Sequence, residues 1–67
     1  MITLTINGKE RTLAGETALA DYLTAHQIDI RIVAVERNGL ILTREQFPEV
    51  VLREGDQVEI VHMIGGG

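Results

Sequence analysis

An Asn-Gly pair, Asn7-Gly8, follows a short β-forming segment near the start of the chain. Apolar residues alternate with threonines over 2–6, which is the period of a strand with one buried face. Asparagine and glycine both accept the positive φ angles of a type I′ turn, so the pair is a strong hairpin signal. We therefore expect an antiparallel hairpin whose second strand runs to about Leu13.

A second Asn-Gly pair, Asn38-Gly39, predicts a second hairpin. The segment before it, 32–35, is a nearly continuous run of β-branched and apolar residues, and we expect a well-buried strand there. The segment 40–42 should form the short return strand. Two hairpins in so short a chain already favour a sheet as the main layer of the fold.

One helix is predicted between the hairpins. Leu19, Tyr22 and Leu23 are spaced i, i+3 and i+4, so one helical face is apolar and should pack on the sheet. Thr17 is a plausible N-cap, which places the helix at about Thr17 to His26.

The remaining residues predict an irregular turn, a tight turn and a last strand. Residues 44–48 should form the irregular turn with Phe47 packed inward, and Glu54-Gly55-Asp56 the tight turn. Val58, Ile60 and His62 then alternate with Glu59, Val61 and Met63 in the last strand. The order β-β-α-β-β-β predicts an α+β fold in which a mixed sheet of four to five strands packs on one helix. We expect one domain at 1–64 and a flexible glycine tail at 65–67.

Composition excludes several classes of function. The chain has 67 residues, a net charge of −4 and a single lysine, Lys9, so it lacks the basic face that nucleic-acid binding requires. No signal-peptide or membrane-spanning pattern is visible in it, and the absence of cysteine leads us to expect a cytoplasmic protein. Serine and cysteine nucleophiles are absent, and His26 and His62 do not have metal-ligand spacing. We therefore expect no catalysis, no metal and no cofactor of its own.

Three glycines, Gly65, Gly66 and Gly67, end the chain. They cannot contribute side chains to a core, and extended they reach about 10 Å beyond the last strand. Such an arm could enter a narrow slot on a partner and present an ionised carboxylate. Glycine alone does not distinguish this from a frayed end or an expression remnant.

The residues that precede the glycines favour a functional arm over a frayed end. Residues 54–61 read EGDQVEIV, and a short apolar link joins them to Gly66-Gly67. Together with the Asn7-Gly8 hairpin, VAVE at 33–36 before the second Asn-Gly pair, and REQF at 44–47, this resembles the ubiquitin-like sulfur carriers. The resemblance covers the whole chain, and the match is strongest to the ThiS family of thiamine biosynthesis.

The resemblance implies a β-grasp fold in which the first and last strands are parallel neighbours at the sheet centre. It also implies that a ThiF-type enzyme uses ATP to adenylate the carboxylate of Gly67. A sulfur donor of the cysteine desulfurase or rhodanese type then forms a thiocarboxylate, and thiazole synthase takes the sulfur. Gly66 and Gly67 would be required because any side chain would block the close approach.

Residues beside the tail are candidates for partner docking. If the last strand alternates with Ile60 inward, then Val61 and Met63 face outward, and Ile64 and Gly65 continue towards the tail. Exposed apolar residues at such a place suggest a docking patch, although local structure could simply cover them. The acidic residues Glu54, Asp56 and Glu59 could pair with basic groups of a partner. For Asp56, stabilisation of the turn is the favoured interpretation.

Three alternatives remain open at this point. The small subunit of molybdopterin synthase shares the fold and the terminal diglycine. A ubiquitin-like protein modifier would be joined through Gly67 to lysines of its targets. A β-grasp interaction domain would use its surface and carry no chemistry.

Overall fold

A five-stranded mixed sheet forms the body of the molecule. The computed structural model describes residues 1–63. Its elements are strands β1 (Ile2–Ile6), β2 (Lys9–Leu13) and β3 (Thr17–Ala18), helix α1 (Leu19–Ala25), strands β4 (Val33–Arg37), β5 (Leu40–Ile41), β6 (Val51–Leu52) and β7 (Gln57–His62), with 3₁₀ helices at Ile30–Ile32 and Arg44–Glu49. The order in the main sheet is β2-β1-β7-β4-β5. β7 is thus the central strand, parallel to β1 and antiparallel to β4.

Both predicted hairpins are confirmed. Asn7 and Gly8 have φ angles of 52° and 78°, and Asn38 and Gly39 have 52° and 88°, all in the left-handed region that a type I′ turn uses. They join β1 to β2 and β4 to β5 in antiparallel register.

The core lies between one face of the sheet and α1. The alternating residues of β1 and β7 point into it. Phe47 packs inward as predicted, but from a 3₁₀ helix at Arg44–Glu49 where the sequence predicts an irregular turn. The buried apolar members of the core are Ile2, Leu4, Ile6, Leu19, Tyr22, Leu23, Val33, Val35, Phe47, Val50, Leu52, Val58 and Ile60.

The predicted helix start was wrong. Thr17 and Ala18 form strand β3, which pairs with Leu52 and Val51 of β6 in a separate two-stranded sheet. The Thr17 hydroxyl donates to the carbonyl of Gly15 at 2.9 Å and does not cap the helix. The Leu19 amide donates to the Val50 carbonyl, so pairing with a distant segment replaces local capping.

The strand prediction over 32–35 was wrong at its start. Ile32 ends a 3₁₀ helix whose N-cap, Asp29, accepts a hydrogen bond from the Arg31 amide at 2.9 Å, and the Ile32 side chain is 46% exposed. The strand begins at Val33 and alternates, with Val33 and Val35 buried and Ala34 half-buried.

No helix within residues 1–63 is both long and apolar enough to cross a bilayer.

Candidate functional site

The predicted carrier group lies just beyond the described chain. Gly67 and Gly66, with the docking candidates Gly65 and Ile64, fall outside residues 1–63, and their roles stay predictions. The structure does describe the strand that leads to them. β7 ends at His62, and the amide of Met63 donates to the carbonyl of Ile32 at 2.7 Å. The carboxyl end of the chain therefore continues from a position fixed at the centre of the sheet.

Asn7 anchors β7 from the neighbouring strand. The Ile60 amide donates to Asn7 Oδ1 at 2.7 Å, and Asn7 Nδ2 donates to the Ile60 carbonyl at 3.2 Å. The Asn7 amide also donates to the carbonyl of Val58 at 2.8 Å. Because the chain turns away from β7 at Asn7, the Asn7 side chain makes the two hydrogen bonds that the backbone of a further strand residue would have made. The sequence indicated only the turn, because the partner lies far away along the chain.

The second turn asparagine also contacts β7. Asn38 Oδ1 accepts from the Gln57 amide at 2.8 Å, and Asn38 Nδ2 donates to Asp56 Oδ1 at 3.1 Å. Each hairpin turn therefore holds one part of the central strand, Asn38 its beginning and Asn7 its middle.

Asp56 stabilises the turn that precedes β7. Its side chain is buried, and it accepts hydrogen bonds from the Arg53 amide at 2.9 Å, from Arg37 Nε at 3.0 Å and from Asn38. Burial alone would raise the pKa of Asp56, but these donors favour the charged form and lower the pKa below its ordinary value. The turn role predicted for Asp56 is confirmed.

The other two acidic candidates differ from each other. Glu54 Oε1 accepts from the Thr3 amide at 2.9 Å, which ties the turn to β1. Glu59 lies exposed on β7 and makes no side-chain hydrogen bond within the described residues.

The sheet face opposite α1, here called the open face, carries the predicted docking residues Val61 and Met63. Ile60 is 7% exposed, whereas Val61 and Met63 are 57% and 51% exposed, so the alternation along β7 places them as the sequence predicts. Val61 lies opposite Ala34 on β4, and Met63 is bonded through its amide to Ile32. An apolar strip thus runs along the open face to the last described residue. The docking role itself stays a prediction.

The histidines lie apart from each other. The His26 ring packs against the Tyr22 ring with centroids 4.2 Å apart and planes inclined by 34°, and His62 is exposed at the end of β7. Within residues 1–63 no group of three histidine, cysteine or acidic side chains is arranged to hold a metal ion.

Comparison with known proteins gives matches over nearly the whole chain. The profile of the ThiS family matches residues 4–67. The sulfur carrier protein ThiS of Bacillus subtilis is 42% identical over 65 residues, which are 96% of this chain and 98% of that protein. A thiazole synthase of Paramagnetospirillum magneticum is 41% identical over 64 residues, which are 96% of this chain and 20% of that longer protein.

A solved structure has the same fold. The crystal structure of the thiamine biosynthesis protein ThiS from Geobacter metallireducens superposes with a TM-score of 0.84 at 36% sequence identity, covering 98% of this chain and 100% of that one. The sheet order and the single main helix described above therefore form the β-grasp arrangement that the resemblance implies.

Proposed function

This chain belongs to the ThiS family of sulfur carrier proteins, and from that premise we propose that the carboxylate of Gly67 is the group that carries the sulfur. The chain is a non-catalytic carrier in thiamine biosynthesis, so any enzyme of the cycle is a partner. The observation that carries the proposal is the extent of the family match, which continues through residue 67 and so includes the three glycines.

The proposed cycle begins with adenylation. A ThiF-type enzyme binds ATP, and a carboxylate oxygen of Gly67 attacks the α-phosphorus, so that pyrophosphate leaves and an acyl-adenylate forms. The enzyme supplies the groups that stabilise charge on the phosphates. A donor of the cysteine desulfurase or rhodanese type then transfers persulfide sulfur to the acyl carbon, and AMP leaves. A thiol reduces the resulting S–S bond and releases the thiocarboxylate.

The body of the protein positions this end for its partners. Four residues, 64–67, follow the last described one, and an extended chain of that length spans at most about 14 Å. The adenylating enzyme must therefore bind close to the end of β7. We propose that it docks on the apolar strip of the open face, where Val61 and Met63 are exposed. Gly65 and Ile64 would extend that contact towards the reacting carboxylate.

Thiazole synthase is the proposed acceptor of the sulfur. A ThiS-like segment joined to a thiazole synthase in one chain, as in the Paramagnetospirillum protein, supports a working partnership between the two activities. The carrier would leave this step with its carboxylate restored, in a cycle that we expect in the cytoplasm.

Intact mass spectrometry tests the proposal. The chain is incubated with its own organism's ThiF-type enzyme, ATP, a cysteine desulfurase, cysteine and a thiol. We expect the mass to rise by the difference between one sulfur and one oxygen atom, and a chain lacking residues 65–67 to remain unchanged.

An unchanged mass, in the presence of an enzyme that adenylates another ThiS protein, would contradict the proposal. Conjugates to lysines of other proteins that disappear on deletion of Gly67 would instead favour the protein modifier.

A further inference from the structure

Two glutamates face each other at the centre of the open face. Glu36 on β4 and Glu59 on β7 are register partners in an antiparallel pair, so their side chains project from the same side of the sheet. Both are exposed. The ion pairs found within residues 1–63 join Asp29 to Arg31 and Asp56 to Arg37, so neither glutamate is neutralised by a cation of the described chain. Like charges directly opposite destabilise a sheet, and this acidic pair therefore requires an explanation beyond folding.

On the side towards the end of β7, the acidic pair borders apolar residues. A shallow depression of about 260 Å³, open to solvent, is lined by both glutamates together with Ala34, Ile41 and Val61. Ile41 and Val61 are largely exposed, and Ile41 is the register partner of Glu36 on its other side. The site therefore combines two negative charges with an apolar floor. A small hydrated cation would use only the charges, whereas a long side chain with an apolar stem and a charged head would use both.

We propose that the acidic pair binds an arginine side chain that the adenylating enzyme presents on its docking surface. A guanidinium has five donors in a planar fork and can bond two carboxylates at once, and it is more weakly hydrated than an ammonium group. Its methylene stem packs in the depression beside Val61 and Ile41. This inference rests on the proposed function, because it names the enzyme that activates Gly67.

The position along β7 suits this role. Glu59 precedes Met63 by four residues, which is about 13 Å along a strand. The arginine contact is thus far enough from the carboxyl end to leave the reacting group unobstructed. It is near enough to fix the rotation and register of the carrier on the enzyme, which is what complementary charges at an interface achieve.

A double variant that keeps the shape but removes the charge tests the inference. Glu36→Gln with Glu59→Gln is compared with the control Glu16→Gln with Glu49→Gln, which removes the same net charge from exposed positions outside the main sheet. The dissociation constant for the ThiF-type enzyme is measured by calorimetry at low and high salt. We expect binding of the acidic-pair variant to weaken about tenfold or more and to lose salt dependence, while the control binds like the wild type.

Thermal unfolding separates a binding role from a structural one. Because the two charges repel, the acidic-pair variant should unfold at the same temperature as the wild type or at a higher one. A single Glu59→Gln variant should show an intermediate loss of affinity.

The possible results distinguish the inference from the proposed function. If the wild type acquires the thiocarboxylate and the acidic-pair variant binds the enzyme as tightly as the wild type, the inference is overturned and the proposed function stands. An equal weakening in the control would also overturn it, since net charge alone would then explain the effect. If the enzyme neither binds nor adenylates the wild type, both fail.

Discussion

At the residue scale, three polar side chains maintain the geometry of the central strand. Asn7 and Asn38 bond the backbone of β7 from distant positions in the sequence, and Asp56, just before β7, accepts hydrogen bonds from Arg37 and Asn38. Each is at a position where the backbone changes direction, and each would be an ordinary turn residue by local criteria. Their long-range bonds became visible only when the register of β7 against β1 and β4 was known.

The Asp56 carboxylate should make stability depend on acid pH. Its pKa is lowered in the folded state, so the unfolded chain takes up the proton first as pH falls below about 3.9. The stabilisation is therefore complete above that pH and is lost as pH falls further through the folded pKa. We expect Asp56→Asn to lower the free energy of unfolding by about 2 kcal/mol at neutral pH and to reduce its fall at acid pH, measured by urea unfolding across pH.

Glu16→Gln is a suitable control for that experiment, because Glu16 is exposed and its side chain makes no hydrogen bond within the described residues. If Asp56→Asn left the fall in stability at acid pH unchanged, the stabilising role assigned to this carboxylate would be wrong.

Asn7→Gly should isolate the anchoring bonds to Ile60. Glycine tolerates the positive φ of this position, so the turn is retained while both side-chain bonds are lost. We expect a loss of about 1 to 2 kcal/mol of stability and faster hydrogen exchange at the Ile60 amide. Unchanged exchange at that amide would show that Asn7 does not hold the strand.

At the element scale, prediction from sequence succeeded where local signals are strong. The Asn-Gly pairs specify both hairpins through φ angles alone, and alternation along β7 correctly placed Ile60 inward and Val61 outward. In contrast, β3 and β6 contain two residues each and exist because they pair with one another. No periodicity can be read from two residues, so the local pattern places Thr17 in the helix that follows it.

The acidic pair illustrates the same limit for the candidate site. Glu36 and Glu59 lie on strands that are distant in sequence, and only the register between β4 and β7 brings them together. A shift of one residue would place them on opposite faces. The sequence could therefore suggest Glu59 as a partner contact but could not connect it with Glu36.

At the scale of the whole molecule, the body and the carboxyl end should be separable in function. Within residues 1–63, the buried members of the core lie between Ile2 and Ile60. Residues added after Gly67 should thus leave the thermal midpoint unchanged. They should abolish thiocarboxylate formation, because the carboxyl group of Gly67 is then part of a peptide bond. Intact mass and thermal unfolding, measured on the same sample, check this.

The matched control is a chain extended by the same residues through a cleavable site, which should recover activation once the extension is removed to leave Gly67 free. Thiocarboxylate formation on the uncleaved chain would contradict the requirement for a free carboxyl end. A lowered thermal midpoint of the extended chain would contradict the predicted division between the domain at 1–64 and the tail at 65–67.

The parallel alignment of β1 and β7 also determines how the molecule bears tension. Because the two strands run in the same direction, the start of β1 and the end of β7 lie at opposite ends of the pair. A partner that pulled on the carboxyl end would load β7 lengthwise between β1 and β4. Its ladder bonds and the Asn7 contacts are then loaded together in shear and do not peel apart one after another. We therefore expect a pull on the carboxyl end to leave β7 paired in the sheet.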